Sequence, residues 1–204
     1  MKIIVNNKNY DIGSKYYPVK NKSDIKFFTC QNTEKNENTE LSDFVNSLNI
    51  TPGFCYTNAE LICKSVIGRK LSIEFYAGWI FVGDKEPLHH AWVVCDGNVI
   101  DVNVRNSSVE VLKTIDYSNS NWRSIAVEKI KAAEKRFKLS DDCVMGKVFD
   151  FLVYVGTRDK IDLAKIRYNT LINNFPDHLS YRDRNSQHSM TEFQKEIFRA
   201  KGII

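Results

Sequence analysis

The sequence has no apolar run that approaches the roughly 18 to 20 residues a helix needs to cross a bilayer, which argues against a membrane-spanning helix. An apolar block near the start is also missing, because polar residues interrupt MKIIVNNKNYDIGSKYY where a signal peptide needs hydrophobic ones. We therefore expect a soluble protein that is made in the cytoplasm and has no membrane partner.

Paired cysteines are absent as well. The five cysteines are an odd number at irregular spacing and include no Cys-x-x-Cys pair: Cys30, Cys55, Cys63, Cys95 and Cys143. This pattern argues against a disulfide framework and against a zinc module, so we expect reduced thiols, no metal site and no cofactor. A lone cysteine is usually a small buried hydrophobe, and only Cys55 differs, because of its position in the chain.

Charge of one sign is not in large excess. The formal net charge is +4 over 204 residues, but the last 84 residues hold 16 Lys and Arg against 11 Asp and Glu. Either an acidic partner or a solvated helical surface accounts for this excess. Acidic residues interrupt every basic cluster, so a nucleic-acid partner is not expected. The hydrophobic content of 43% is typical of a globular domain.

Local patterns predict a mixed first half. After a loop-rich entry with β-prone pieces at Lys2 to Val5 and Lys26 to Thr29, a short helix is predicted from about Leu41 to Leu48. A second helix begins at Cys55 and ends at Gly68, since apolar or small residues recur on one face at 55, 59, 62, 63, 66 and 67. Runs rich in β-branched and aromatic residues predict three strands, at Leu71 to Val82, His89 to Cys95 and Asn98 to Val104.

The pattern after Asn106 predicts helices. One stripe comprises Trp122, Ala126, Ile130, Ala133 and Phe137. A second, capped by Ser140, comprises Val144, Val148, Phe151, Leu152 and Val155. Further helices are predicted from about Lys160 to Asn173 and from Met190 to Ala200. We therefore expect an α+β fold in which residues 1–106 form the core and a helical, basic part, residues 107–204, packs on it within one structural unit.

The dipeptide Asp96-Gly97 is the strongest hairpin signal in the chain. A two-residue turn there predicts three cross-strand pairs: Cys95 with Asn98, Trp92 with Asp101, and His90 with Asn103. His90 and Asp101 then share one face as diagonal neighbours, with backbones roughly 7 to 8 Å apart, while His89 points to the other face. A carboxylate at that place would fix the imidazole tautomer and stabilise its charged form, and Asn103 is a second possible orienting residue.

Cys55 follows Pro52-Gly53-Phe54 and opens a predicted helix. A cysteine acts as a nucleophile only as the thiolate, which both the positive end of a helix and a nearby imidazolium stabilise. The first-turn N–H groups of the same helix could also stabilise an oxyanion. Cys55, His89 and His90 do not have a spacing typical of metal ligands.

Three motifs in order resemble those of the transglutaminase-like branch of the papain-like cysteine enzymes. They are Gly-x-Cys at Gly53 to Cys55, His-Ala-Trp at His90 to Trp92, and Ile-Asp at Ile100 and Asp101, with an aromatic-glycine turn at Tyr76 to Trp79 between the first two. The similarity covers about 50 of the 204 residues. It implies a helix bearing the cysteine packed on an antiparallel sheet that bears the histidine and the aspartate.

The resemblance also implies a reaction, namely acyl transfer through a thioester. Cys55 would be the nucleophile, His90 the general base and acid, and Asp101 the residue that orients His90. Candidates for contacts with the substrate or the oxyanion are Asn49, Tyr56, Trp92 and Asn103. The family contains peptidases, amidases, deamidases and cross-linking enzymes, so a peptide or another amide is the expected substrate, and a protein partner is possible.

A binding module that holds a protein or a small ligand without turnover is the alternative reading of the same scaffold. Pseudo-enzymes normally lose a member of the triad, whereas this sequence keeps all three residues. We therefore favour an enzyme.

Overall fold

The structure is a computed structural model that describes residues 2–5, 7–11, 24–34, 39–50, 54–67, 71–83, 88–105 and 143–174, with scattered positions between 111 and 132. The strands in this part of the chain are β1 (Lys2–Val5), β2 (Lys8–Asp11), β3 (Lys26–Phe28), β4 (Ile73–Val82), β5 (Leu88–Cys95), β6 (Asn98–Arg105), β7 (Cys143–Gly146) and β8 (Leu152–Arg158). The helices are α1 (Thr39–Ser47), α2 (Cys55–Ser65) and α3 (Ile161–Asn174).

Six of the strands form one antiparallel sheet in the order β3-β8-β4-β5-β6-β7, and β1 and β2 form a separate hairpin. The sheet confirms the predicted α+β class, and the three strands predicted between residues 71 and 104 are present. β4 and β5 lie at its centre, where β-branched and aromatic side chains are buried on both faces. Two of the six strands, β7 and β8, come from the chain after residue 106.

The turn between β5 and β6 has the predicted length of two residues. Asp96 and Gly97 both have positive φ, 48° and 84°, which is the signature of a type I′ turn, and Cys95 pairs with Asn98. The ladder then ends at the pair of Val93 with Ile100.

The predicted ladder pairs of Trp92 with Asp101 and of His90 with Asn103 are therefore wrong. β6 also pairs with β7 on its other side, and that register is irregular between Asp101 and Arg105. Such an irregularity bends a strand and increases its local twist, so the turn sets a regular register only near the tip of the hairpin.

The two faces of the sheet belong to two hydrophobic clusters. On one face, the helices pack through residues that include Tyr56, Ala59 and Ile62 of α2 against the alternate β5 residues Ala91, Val93 and Cys95. On the other face, Trp92 and Val94 pack with Tyr76, Val99, Val144 and Tyr154. Side chains alternate along β5, so His90 lies on the same face of the sheet as Trp92. The body of α2 packs on the other face of β5.

The predicted helix that begins at Ser140 is wrong, because β7 and β8 occupy that part of the chain. Its helical stripe contained Phe151, which instead lies in a turn with φ of 62° and is 62% exposed. The run Leu152–Arg158 is rich in β-branched and aromatic residues, and it pairs with β4 on one side and β3 on the other. Five apolar residues of this segment match a helical period. Burial of both faces of β8 in the sheet nevertheless stabilises the strand more than the helix.

The predicted helix near Lys160 to Asn173 is confirmed as α3. The predicted helices at Trp122 to Phe137 and at Met190 to Ala200 lie largely or wholly outside the described residues. No helix in the described part of the chain is long and apolar enough to cross a membrane.

The absence of a side chain at Gly156 leaves room for the indole of Trp92. Gly156 of β8 pairs with Gly78 of β4, and a Cβ at Gly156 would lie 2.6 Å from Cη2 of Trp92 and closer still to the backbone oxygen of Ala77. No real Cβ makes such contacts, so either the indole or the strand would have to move.

We expect Gly156→Ala to lower the free energy of unfolding by about 1 to 3 kcal/mol, measured by urea denaturation, since overpacking a well-packed site has costs of this size. Gly97→Asn is the control, because no atom lies within 4 Å of a Cβ at Gly97 and asparagine tolerates its positive φ. Equal stability of Gly156→Ala and the wild type would contradict this packing.

Candidate active site

Cys55 is the first residue of α2, as predicted, and its side chain is half-buried. The N-cap residue is Phe54, which makes no side-chain hydrogen bond to the helix, and the first intrahelical bond runs from the N–H of Asn58 to the carbonyl of Phe54. The side chain of Cys55 therefore starts at the positive end of the helix, in the turn whose N–H groups have no intrahelical acceptor. Gly53 of the Gly-x-Cys motif lies outside the described residues.

The structure brings Cys55, His90 and Asp101 together. Nε2 of His90 lies 2.5 Å from Oδ2 of Asp101, and a further side-chain hydrogen bond joins the imidazole to Cys55. Because Nε2 is taken by the carboxylate, Nδ1 is the ring nitrogen that faces the thiol. His90 is 6% exposed and Asp101 is 1% exposed, whereas Cys55 is half-buried, so Cys55 is the most accessible of the three residues.

The Asp101 carboxylate accepts a full set of hydrogen bonds. Oδ2 accepts from His90 and from the hydroxyl of Tyr154, which lies at 2.7 Å. Oδ1 accepts from the backbone N–H and the side-chain Nδ2 of Asn103, each at 2.9 Å. Burial alone would raise the pKa of Asp101, but the charge of His90 and these donors lower it from its usual value. The carboxylate therefore stays ionised inside the protein.

The charged form of His90 is stabilised in turn. Burial by itself would lower the pKa of His90, but the charge and hydrogen bond of Asp101, together with Cys55, raise it to about 10. The imidazole therefore carries its second proton at neutral pH. Interactions between titrating groups are mutual, so this imidazolium favours the thiolate of Cys55.

Two other thiols have the opposite environment. Burial, helped by Glu60 in one case and by Asp96 in the other, raises the pKa of Cys63 and of Cys95 to about 11. Cys63 is half-buried and Cys95 is buried, and both side chains remain protonated at neutral pH. They are internal references for the reactivity of Cys55.

Aromatic rings hold the imidazole of His90 in place. The ring of Trp92 lies parallel to it with centroids 6.2 Å apart, and the ring of Tyr154 lies at 5.9 Å. His89, by contrast, meets the edge of Trp79 on the other face, as its parity in β5 predicted. His90 rather than His89 is therefore the histidine that reaches the carboxylate.

The remaining candidates divide into those near the triad and those away from it. Trp92 and Asn103 contact its members, as described above. Tyr56 is buried in the helical cluster, where its ring stacks on Tyr168 at 4.6 Å. Asn49 lies exposed after the end of α1, and none of the described contacts of the triad involves it. Among the described residues, no group of three or more His, Cys, Asp or Glu side chains could hold a metal ion.

Two further residues of this network, Tyr154 and Asn58, are not among the candidates predicted from the sequence. Tyr154 was assigned to a helix, although the run Leu152–Arg158 is rich in β-branched and aromatic residues, which is a strand signal that could have placed it in the sheet. Asn58 donates from Nδ2 to Oδ1 of Asn103 at 2.6 Å. Its polar side chain on the buried face of a predicted amphipathic helix was the available signal.

The chain matches no protein-family model, no curated protein and no solved structure. The similarity to the transglutaminase-like enzymes therefore rests on the short motifs alone. The geometry of the site stands independently of it.

The pKa of His90 makes stability depend on pH in a defined direction. A raised pKa means that the contribution of charged His90 is fully present below its ordinary pKa of 6.5 and is lost as the pH rises toward about 10. We expect the stability difference between the wild type and His90→Gln, measured by urea denaturation from pH 6 to pH 10, to fall by at least about 1.4 kcal/mol, the equivalent of one pKa unit.

Titrating groups that do not contact His90 contribute equally to the stability of both proteins, so their effects cancel in this difference. A difference that stays constant from pH 6 to pH 10 would show that the imidazole has an ordinary pKa.

Proposed function

We propose that this protein is a cysteine-dependent acyl-transfer enzyme that acts through a thioester. One observation carries the proposal: a single imidazole contacts a half-buried thiol at a helix N-terminus and, through its other nitrogen, a fully buried carboxylate. This is the arrangement that activates a thiol nucleophile.

In the first half of the reaction, the thiolate of Cys55 attacks the carbonyl carbon of an amide or an ester. The S–C bond forms and the carbonyl electrons move to oxygen, where the first-turn N–H groups of α2 can donate hydrogen bonds to the oxyanion. As the oxyanion collapses, the C–N or C–O bond breaks. The imidazolium of His90 gives its Nδ1 proton to the leaving group, and a thioester remains on Cys55.

In the second half, water or an amine attacks the thioester. Neutral His90 takes a proton from the attacking group at Nδ1, the C–S bond breaks, and the thiolate leaves. The imidazolium–thiolate pair is thereby restored. Transfer to water makes the protein a peptidase, amidase or deamidase, whereas transfer to an amine makes it a cross-linking enzyme.

Asp101 supports both halves without exchanging a proton itself. Its bond to Nε2 keeps a proton on that nitrogen, so that Nδ1 is always the nitrogen that serves the sulfur. Because His90 and Asp101 are buried whereas Cys55 is half-buried, the substrate approaches on the side of Cys55. A peptide or amide substrate that presents its carbonyl to the N-terminus of α2 fits this geometry.

The proposal predicts selective alkylation of Cys55. With limiting iodoacetamide at pH 6, mass spectrometry of the wild type should find Cys55 modified at least about tenfold faster than Cys63 or Cys95, whose raised pKa values keep them as thiols. In His90→Ala, this preference at pH 6 should disappear, since the imidazolium that stabilises the thiolate is gone.

His89→Ala is the matched control, because it removes the neighbouring imidazole on the other face and should leave the alkylation of Cys55 unchanged. Similar rates at the five cysteines of the wild type would contradict the enzyme and favour a module that binds a protein or a ligand without turnover.

A further inference from the structure

Asn58 is an unusual residue for its position. It lies one turn after Cys55 in α2, on the same side of the helix, and is only 1% exposed. Its neighbours on the buried face of α2, Ala59 and Ile62, are apolar. A buried amide costs free energy unless it is hydrogen-bonded, and the side chain of Asn58 meets this requirement through Asn103.

The amide of Asn103 is held in one orientation. Its Oδ1 accepts from Asn58, and its Nδ2 donates to Oδ1 of Asp101. Rotating the amide by half a turn would place oxygen against the carboxylate and nitrogen against the donor of Asn58. Asn103 therefore connects α2, through Asn58, to the Asp101 carboxylate that holds His90.

These contacts form a closed ring. From Cys55 it passes to His90, then to Asp101, Asn103 and Asn58, and it returns to Cys55 through one turn of α2. Both contacts between α2 and the strands in this ring involve residues beyond the last ladder pair of β5 with β6. Side-chain hydrogen bonds thus join the helix to the strands where the regular ladder has ended.

We propose that Asn58 and Asn103 are positioning residues that hold the first turn of α2 at a set distance from the His90–Asp101 pair. The proposal rests on the proposed function, because it assigns them to the activation of Cys55. The hydrogen bond between Asn58 and Asn103 holds the sulfur of Cys55 against Nδ1 of His90. Without this hydrogen bond, α2 can shift while the contact between His90 and Asp101 stays intact.

Two variants of Asn58 test this role. Asn58→Asp has nearly the same shape but turns the donor into an acceptor that faces Oδ1 of Asn103, so the Asn103 amide must rotate and give up its bond to Asp101. Asn58→Ala removes the bond without adding a buried charge and suits a helix. Asn169→Asp is the matched control, since it makes the same change at an exposed position of α3.

The measurement is the rate of iodoacetamide reaction at each cysteine of the full chain from pH 5 to pH 9. We expect iodoacetamide to alkylate Cys55 about tenfold more slowly in both Asn58 variants than in the wild type at pH 6. Above pH 8 the rates in the variants should approach the wild-type rate. Cys63 and Cys95 should stay slow, which shows that the fold is intact, and Asn169→Asp should match the wild type.

A wild-type pH profile for Cys55 in Asn58→Ala would overturn the positioning role, and this variant decides the question even where Asn58→Asp does not fold. The two proposals fail separately. Loss of selective Cys55 reactivity in the wild type itself would contradict the enzyme, whereas selective wild-type reactivity that the Asn58 variants retain would contradict only the positioning role.

Discussion

The contact between His90 and Asp101 is the interaction on which the rest of the site depends. Moving a carboxylate out of water costs several kcal/mol, and an unpaired one would become protonated instead. Four donors from three residues surround Asp101, so the charge is retained within the protein. The retained charge raises the pKa of His90, and the resulting imidazolium is what the thiol of Cys55 meets.

The antiparallel sheet makes this arrangement possible by bringing distant segments to one carboxylate. Tyr154 comes from β8, two strands from β5, and its hydroxyl reaches Oδ2 of Asp101 across 53 residues of sequence. Gly156, two residues further along β8, leaves room for the indole of Trp92, which lies over the ring of His90. The sheet therefore supplies both hydrogen bonds and ring packing to the imidazole, and α2 adds the sulfur from its first turn.

Features set by neighbouring residues could be predicted from the sequence. Asp96-Gly97 defines a turn by its own backbone preference, and alternation along β5 and β6 then places His90 and Asp101 on one face. The stripe that begins at Cys55 predicts where α2 starts, because the amphipathic period is a local property.

Features set by contacts between distant segments could not be predicted. The stretch that contains Tyr154 satisfies a helical period and a strand pattern equally well, and only its pairing with β3 and β4 decides between them. The bond of Asn58 to Asn103 spans 45 residues, and no local pattern specifies such a contact. The end of the β5–β6 ladder at Val93 and Ile100 likewise accompanies an irregular register with β7 on the other side of β6.

Nitrogen-15 NMR of the histidine side chains at pH 7, with the signals of His90 assigned by comparison with His90→Gln, tests the central claim most directly. Because its pKa is raised to about 10, the account predicts a proton on both ring nitrogens of His90 at this pH. A neutral ring with one unprotonated nitrogen at pH 7 would contradict it, since no imidazolium would then be present to stabilise the thiolate of Cys55.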